Sequence, residues 1–145
     1  MLFRAMAHRQ DLPHRSALFS VPSSVSDAYA AKAISAMTND PGRPWTVAML
    51  GRIVGLSRAA FARRFAASVG MAPRTWLTRH RLHLAQQQLV HTDAGLAALA
   101  TRLGYASEFA FAKAFKRIVG VAPGQFRRLA RRTAQNPAFL PRAAA

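Results

Sequence analysis

The sequence predicts an all-α protein in which a helical module of about fifty residues occurs twice. The 145-residue chain is 51% hydrophobic, enough to bury one compact core or two very small subdomains. Alanine is abundant and runs of β-branched residues are scarce, a mixture that favours helices over strands. Apolar residues at helical spacing lie between capping residues and glycines, and this arrangement appears twice.

The N-terminal part contains an irregular segment and one helix. Residues 1–26 show no helical period and contain prolines and serines, so we predict an N-terminal arm. It is a candidate remnant of an upstream sensor domain. From Asp27 to the Asp-Pro-Gly run at 40–42 the pattern predicts a helix, and its apolar face carries Ala30, Ile34 and Met37.

The first module consists of two short helices separated by a glycine. Thr46 can cap a helix over 47–54 that ends at Gly55, and Ser57 can cap a second helix over 58–68 that ends at Gly70. The predicted apolar positions of these two helices are Met49, Leu50 and Ile53, followed by Phe61 and Phe65.

A longer helix follows the first module. Pro73 suits the first position of a helix, because the first amides of a helix lack intrahelical partners. The apolar pattern continues to residue 90 and predicts a linker helix over 73–90, about 27 Å long. Since one turn of B-DNA is about 34 Å, this linker could place two modules in successive major grooves of one duplex.

The second module repeats the first. Asp93 can cap a helix over 94–103 before Gly104, and Ser107 can cap a helix over 108–118 before Gly120. Pro123 opens a last helix over 123–132, and residues 134–145 form a predicted C-terminal tail. Leu50–Gly55 matches Leu99–Gly104 at an offset of 49. The offset becomes 50 for Phe61, Phe65, Gly70, Pro73 and Trp76, which match Phe111, Phe115, Gly120, Pro123 and Phe126.

Each repeat has the plan of a helix-turn-helix unit. A helix ends at a glycine, and within three residues a capping serine begins a second amphipathic helix. A small residue is wanted where the two helices cross, and Gly51 and Ala100 occupy that position. We therefore predict two homeodomain-like helix-turn-helix subdomains, at 46–70 and 94–120, within about seven helices. In such units the second helix enters the major groove.

The charge of the chain predicts a polyanionic partner. There are 21 Lys+Arg, of which 18 are Arg, against 5 Asp+Glu. The candidate partners are DNA, RNA and an anionic membrane. Arginine forms bidentate contacts with phosphate and guanine that lysine cannot match. A solvated basic surface is the simpler alternative. Residues 46–132 hold 15 of the cations and only two acids, Asp93 and Glu108.

The candidate phosphate contacts come from helix N-termini and from basic side chains. Arg64 and Lys116 are equally well explained as solvated charges. Arg63, which flanks the face that points away from the predicted core, is a better candidate for a base contact. The phosphate candidates are Thr46, Ser57, Arg58, Arg64, Arg81, Ser107, Lys116 and Pro123.

These residues carry a resemblance to a known family. The run GYASEFAFAKAFKRIVGVAPGQFRR at 104–128 resembles the signature of the AraC family of bacterial transcription regulators. Its pattern is Gly-Tyr, then Phe-x-x-x-Phe-Lys, then Gly-x-x-Pro-x-x-Phe-Arg. The run at 49–89 looks like the first helix-turn-helix and the linker helix of that family. The likeness covers about residues 27–132, which places an AraC-type DNA-binding domain at 27–133.

The resemblance implies sequence-specific binding of double-stranded DNA, with RNA polymerase as a second candidate partner. It also implies which residues face the bases. Glu108 has two readings: it accepts from a cytosine amine, or it caps its own helix N-terminus. Because about 26 residues precede the first helix, we expect no effector ligand within this chain. The implied base-facing residues are Ala59, Ala62, Arg63, Glu108, Phe109, Ala112 and Lys113.

Other classes of protein fit the sequence less well. The alternative within the same chemistry is a non-specific basic nucleic-acid-binding or architectural protein without regulatory sensing. No catalytic or metal-ligand spacing stands out, and cysteine is absent. The spacing of His80 and His83 is more typical of solvated histidines than of metal ligands. We therefore expect that the chain is not an enzyme and that it binds no cofactor and no metal. No apolar segment suits a signal peptide or a membrane span, and we expect a cytoplasmic, nucleoid-associated protein that does not bind membranes.

Overall fold

The computed structural model describes residues 27–135, and within them the chain forms seven helices and no strand. The predicted arm at 1–26 and the tail from residue 136 lie outside the described residues, and the division of the chain into arm, domain and tail stays a prediction. The helices are α1 Ala28–Asn39, α2 Val47–Val54, α3 Arg58–Val69, α4 Pro73–His91, α5 Leu96–Arg102, α6 Glu108–Val119 and α7 Pro123–Gln135. The all-α prediction is confirmed.

Side-chain caps begin three helices at the predicted residues Thr46, Ser57 and Ser107, and a further cap begins α1 at Asp27. The Asp27 carboxylate accepts from the amides of Tyr29 and Ala30 at 2.8 and 3.2 Å. Thr46 begins α2 by accepting from the Met49 amide at 3.1 Å. Each of these bonds satisfies an amide that has no carbonyl partner in the first turn of its helix.

The cap predicted at Asp93 is wrong. Helix α5 begins at Leu96, two residues later than predicted, and Gly95 occupies its N-cap without a side-chain hydrogen bond. Asp93 instead accepts a hydrogen bond from the Arg131 guanidinium of α7. A carboxylate that can cap a helix can also pair with a nearby arginine, and here the arginine is its partner.

The turns between paired helices depend on glycines in the left-handed region. Gly55 has φ of 80° and Gly104 has φ of 84°, values that L side chains rarely adopt. In the first turn the Leu56 amide donates to the carbonyl of Gly51 at 2.9 Å. In the second, the Tyr105 amide donates to the carbonyl of Ala100 at the same distance of 2.9 Å. The two turns therefore share one hydrogen-bond pattern.

The chain divides into two compact units between His83 and Leu84, a point within α4. The first unit packs α1, α2 and α3 around two buried aromatic rings, Phe61 and Phe65, whose centroids lie 5.7 Å apart. Its cluster of buried residues consists of Ala30, Ala33, Ile34, Met37, Leu50, Val54, Phe61, Phe65, Trp76 and Leu77.

One core assignment in this unit is wrong. Ile53 was predicted to face inward with Leu50, but its side chain is 38% exposed, and Val54 is buried in its place. Six of the eight residues of α2 are apolar, so the pattern alone does not determine which side of this short helix faces the core.

The second unit repeats the aromatic core. Phe111 and Phe115 are completely buried with centroids 5.8 Å apart, and Phe126 of α7 meets Phe115 edge to face at 5.5 Å. Tyr105, in the turn before α6, contacts Phe111 at 5.6 Å. Aromatic pairs at these distances and tilts stabilise the core by more than the burial of their surface area alone.

An arginine holds an irregular segment in each unit. In the first unit Arg81 donates from Nε to the Pro41 carbonyl at 2.7 Å and from Nη2 to the Arg43 carbonyl at 2.9 Å. In the second unit Arg127 donates to three carbonyls, those of Leu89, Thr92 and Ala94, at 3.2, 3.2 and 2.6 Å. Charge-assisted bonds of this kind satisfy backbone acceptors that no helix or strand pairs.

The close approach between Gly51 and the backbone of Leu56 leads to the first prediction, which concerns stability. A Cβ at this position would lie 2.9 Å from the backbone oxygen of Leu56, which cannot move without opening the turn. We expect Gly51→Ala to lower the free energy of unfolding by about 1–3 kcal/mol, despite the better helix propensity of alanine.

Gly124→Ala is the matched control, because the added Cβ would lie 3.7 Å from Arg128 Nη1, an ordinary contact. We expect this change in α7 to be neutral or to stabilise by up to about 1 kcal/mol. Denaturant unfolding of both variants measures the difference, and equal stabilities would contradict the steric argument.

Candidate nucleic-acid interface

Helix α3 separates its core face from a solvent-exposed face. Phe61 and Phe65 are completely buried, whereas Arg58, Ala59 and Arg63 are exposed. Of the first helix's implied base-facing residues, only Ala62 is half-buried. The helix is thus fixed from one side by aromatic packing and presents small and guanidinium groups on the other.

Helix α6 has the same division with different chemistry on its exposed face. Phe111 and Phe115 point into the core, while Glu108, Lys113 and Lys116 are exposed and Ala112 is half-buried. The side chain of Phe109 is 77% exposed. This face therefore combines one acidic group, a phenyl ring and two ammonium groups.

The start of each exposed helix offers donors for an anion. Ser57 accepts from the Ala60 amide at 3.2 Å, and Ser107 accepts from the Ala110 amide at 3.0 Å. Each cap serves the third amide of its helix, so the first two amides remain available, and each serine O–H is free to donate. Thr46 starts α2 in the same way. A phosphate oxygen is the ligand that such donors and the helix dipole suit.

Ser107, rather than Glu108, is the cap of α6. Glu108 lies in the first turn, where a negative charge interacts favourably with the helix dipole while its side chain remains in solvent. The reading in which Glu108 caps α6 is therefore wrong, and its contact with a cytosine amine stays a prediction.

Three of the predicted phosphate contacts have other partners in the structure or lack a donor. The Arg64 guanidinium lies over the Tyr29 ring at 4.7 Å, and its Nε lies 3.5 Å from the Asp27 carboxylate, so the side chain folds back onto α1. The Arg81 guanidinium is engaged by the backbone carbonyls described above. Pro123 has a buried ring and no N–H, so any donor at the start of α7 belongs to the residues after it.

The other predicted residues are exposed or half-buried and lie on α3, on α6 or at their caps, or at the start of α2. Arg58 and Arg63 share α3, and Lys113 and Lys116 share α6. Sequence reasoning missed the internal role of Arg127. Its partners are backbone carbonyls, which no residue type signals.

The two histidines of the linker helix are structural neighbours. The His80 ring stacks on Trp76, with centroids 4.9 Å apart and planes 14° apart, and its buried Nε2 has no hydrogen-bond partner. Burial, and then the charge of His83, lower the pKa of His80, and burial also lowers the pKa of His83. Among the described residues no group of three or more histidines and carboxylates is placed to hold a metal.

Comparison with known proteins identifies the family. A family model described as a helix-turn-helix domain matches residues 50–129. A Streptomyces lividans protein described as an AraC-like transcription regulator is 40% identical over 121 residues, 83% of this chain. The RCS-specific HTH-type transcriptional activator RclR of Escherichia coli is 40% identical over 101 residues, 70% of this chain. The chain belongs to the AraC family of helix-turn-helix proteins.

Solved AraC-type domains share the fold. The DNA-binding domain of AdpA, solved in complex with a target DNA, superposes with a TM-score of 0.69 at 29% identity, covering 77% of this chain and 98% of that one. An AraC-type protein from Chromobacterium violaceum superposes with a TM-score of 0.67 at 23% identity and supports the fold alone. The family confirms the prediction that this chain is not an enzyme.

The AraC-type domain is one part of its longer relatives. The chain spans 39% of the length of the Streptomyces lividans protein and 36% of RclR.

No helix in the described range is both long enough and apolar enough to cross a membrane.

The burial of His80 leads to the second prediction, which concerns the pH dependence of stability. The folded state keeps the pKa of His80 below its ordinary value of 6.5, so below that pH the unfolded chain binds the proton more readily. The free energy of unfolding therefore falls as the pH drops through 6.5. Unfolding by denaturant at several pH values on either side measures this slope.

His80→Phe keeps the stacking on Trp76, removes the titrating group and removes a buried nitrogen that lacks a partner. We expect this variant to show a shallower pH dependence, with the remaining part of the slope due to His83. A slope as steep as that of the parent would show that protonation of His80 does not oppose folding.

Proposed function

We propose that this chain is a sequence-specific double-stranded-DNA-binding regulator of transcription, and that α3 and α6 are its two recognition helices. The observation that carries the proposal is the exposed polar face of each helix, held outward by a buried phenylalanine pair. The AdpA domain, which has the same fold, was solved with a target DNA, and this supports duplex DNA as the partner. The net charge of +16 suits such a polyanion.

Each exposed group has a role suited to its chemistry. Arg63, in the middle of α3, is the candidate for a bidentate contact with the O6 and N7 atoms of guanine. Ala59 and Ala62 leave room for close approach and can contact thymine methyl groups. Lys113 occupies the equivalent position to Arg63 in α6 and contacts an acceptor as a single charge.

Phosphate contacts position these helices on the duplex without reading sequence. The candidates that remain are the helix starts at Thr46, Ser57 and Ser107, together with Arg58 and Lys116, all of which are exposed. Arg64 is exposed as well, but its guanidinium contacts Tyr29 and Asp27. We place the protein at the nucleoid in the cytoplasm. RNA polymerase is the second candidate partner, since one relative is named an activator.

Selection of bound duplexes from a random DNA pool tests the proposal against its rival, a non-specific architectural protein. We expect enrichment of two short motifs about one helical turn, roughly 34 Å, apart. Binding to the selected site should weaken with salt, with a slope in log K of about −0.9 per neutralised phosphate. Tight binding with no enriched sequence would favour the architectural alternative, and affinity that ignores salt would contradict both.

Arg63→Ala distinguishes base reading from phosphate contact. If Arg63 contacts a guanine, its loss costs about 1–3 kcal/mol at the selected site and relaxes the preference at one base pair. Titrations with the selected duplex and with single-base variants measure both effects.

Arg58→Ala is the matched control in the same helix. We expect it to weaken binding to all sequences similarly and to reduce the salt slope by about 1. If Arg63→Ala behaves like Arg58→Ala, then Arg63 is a phosphate contact and the base assignment is wrong.

A further inference from the structure

Phe109 stands apart from the other apolar side chains of the second unit. It is 77% exposed, whereas Phe111 and Phe115 of the same helix are completely buried. The other large apolar side chains exposed in residues 27–135 are Tyr29, Ile53 and Val90, at 37%, 38% and 45%. A lone exposed apolar residue is common in proteins, so exposure alone assigns no role. The role of Phe109 is inferred from its position on α6 and from the side chains next to it.

Phe109 lies on the side of α6 opposite the core. At 100° per residue, positions four and seven further on fall within about 40° of it, and these are Lys113 and Lys116. Both lysines are exposed. The ring thus begins a stripe with two ammonium groups, on the face that the proposed function directs at DNA. Such charges oppose docking of a basic protein surface and suit approach to phosphates.

The equivalent stripe in α3 has different chemistry. At an offset of 50 residues, Ala59, Arg63 and Ala66 correspond to Phe109, Lys113 and Lys116. The first helix therefore presents a forked hydrogen-bond donor between two methyl groups. The second presents a large apolar ring in place of the first methyl. The two helices therefore present different groups at equivalent positions.

A phenyl ring neither donates nor accepts a conventional hydrogen bond, so it can discriminate bases only through apolar contact. The apolar group on the major-groove edges of the four base pairs is the C5-methyl of thymine. We propose, on the basis of the function proposed above, that Phe109 is a specificity-determining residue that reads a pyrimidine 5-methyl group. Thymine and 5-methylcytosine both carry this group, so both are ligands of the site.

The test replaces thymine by deoxyuracil, which differs only by the methyl group. Each thymine of the selected duplex is replaced in turn, and binding is titrated with the wild-type protein and with Phe109→Ala. We expect one or two positions in the half-site of α6 to lose about fourfold in wild-type affinity, the ratio that burial of one methyl-sized group predicts. Phe109→Ala should bind the thymine and deoxyuracil duplexes equally.

A gain-of-binding arm uses cytosine. At the sensitive position, a duplex with 5-methylcytosine should bind the wild type more tightly than one with cytosine, again by about fourfold, and Phe109→Ala should not distinguish them. Val90→Ala is the control, because it shortens another exposed apolar side chain outside α6, and it should keep the wild-type pattern. Melting curves of Phe109→Ala should match the parent, since the ring is mostly in solvent.

The outcomes separate this proposal from the proposed function. If the wild type selects a DNA site but tolerates deoxyuracil at every position, methyl reading is overturned and DNA binding stands. If sensitivity to deoxyuracil persists in Phe109→Ala, another residue reads the methyl group and the assignment to Phe109 fails. If Phe109→Ala alters self-association while base preferences are unchanged, the ring serves a protein contact instead. If no duplex is selected, the proposed function fails first.

Discussion

The relation between the paired helices of each unit depends on one backbone hydrogen bond across each turn. The bonds from Leu56 to Gly51 and from Tyr105 to Ala100 bring the start of one helix against the side of the other. At Gly51 this approach is so close that a single methyl group would meet a backbone oxygen at 2.9 Å. The left-handed glycine that follows allows the chain to reverse within so short a turn. The exposure of one face of α3 and of α6 follows from this packing.

Much of this architecture could be predicted because its determinants are local. The serine caps, the glycine turns and the phenylalanine pairs at four-residue spacing each depend on neighbours within one or two turns. Their repetition at a constant offset revealed the duplication without any knowledge of long-range contacts. From α1 to the start of α7, helix ends lie within two residues of their predicted positions, and the largest difference is at the start of α5.

The contacts that the sequence did not reveal share a physical cause, because they join segments that are distant in sequence. Nothing near Arg64 indicates that Tyr29 and Asp27 will lie beside it, and nothing near Arg81 indicates the carbonyls of Pro41 and Arg43. Arg64 and Arg81 were therefore predicted to contact DNA, whereas in the structure Arg64 contacts α1 and its cap, and Arg81 holds a loop. The exposure of Phe109, by contrast, agrees with the helical phase set by Phe111 and Phe115.

The opposition of buried rings and exposed side chains within α3 and α6 has a consequence for how such proteins diversify. Stability resides on one side of each helix, in Phe61, Phe65, Phe111 and Phe115, while the groups offered to a duplex contribute little to folding. Substitutions on the outer side can therefore accumulate with small thermodynamic penalty. If the repeat arose by duplication, the exposed faces of α3 and α6 can change independently and acquire different base preferences. One polypeptide can then bind an asymmetric operator.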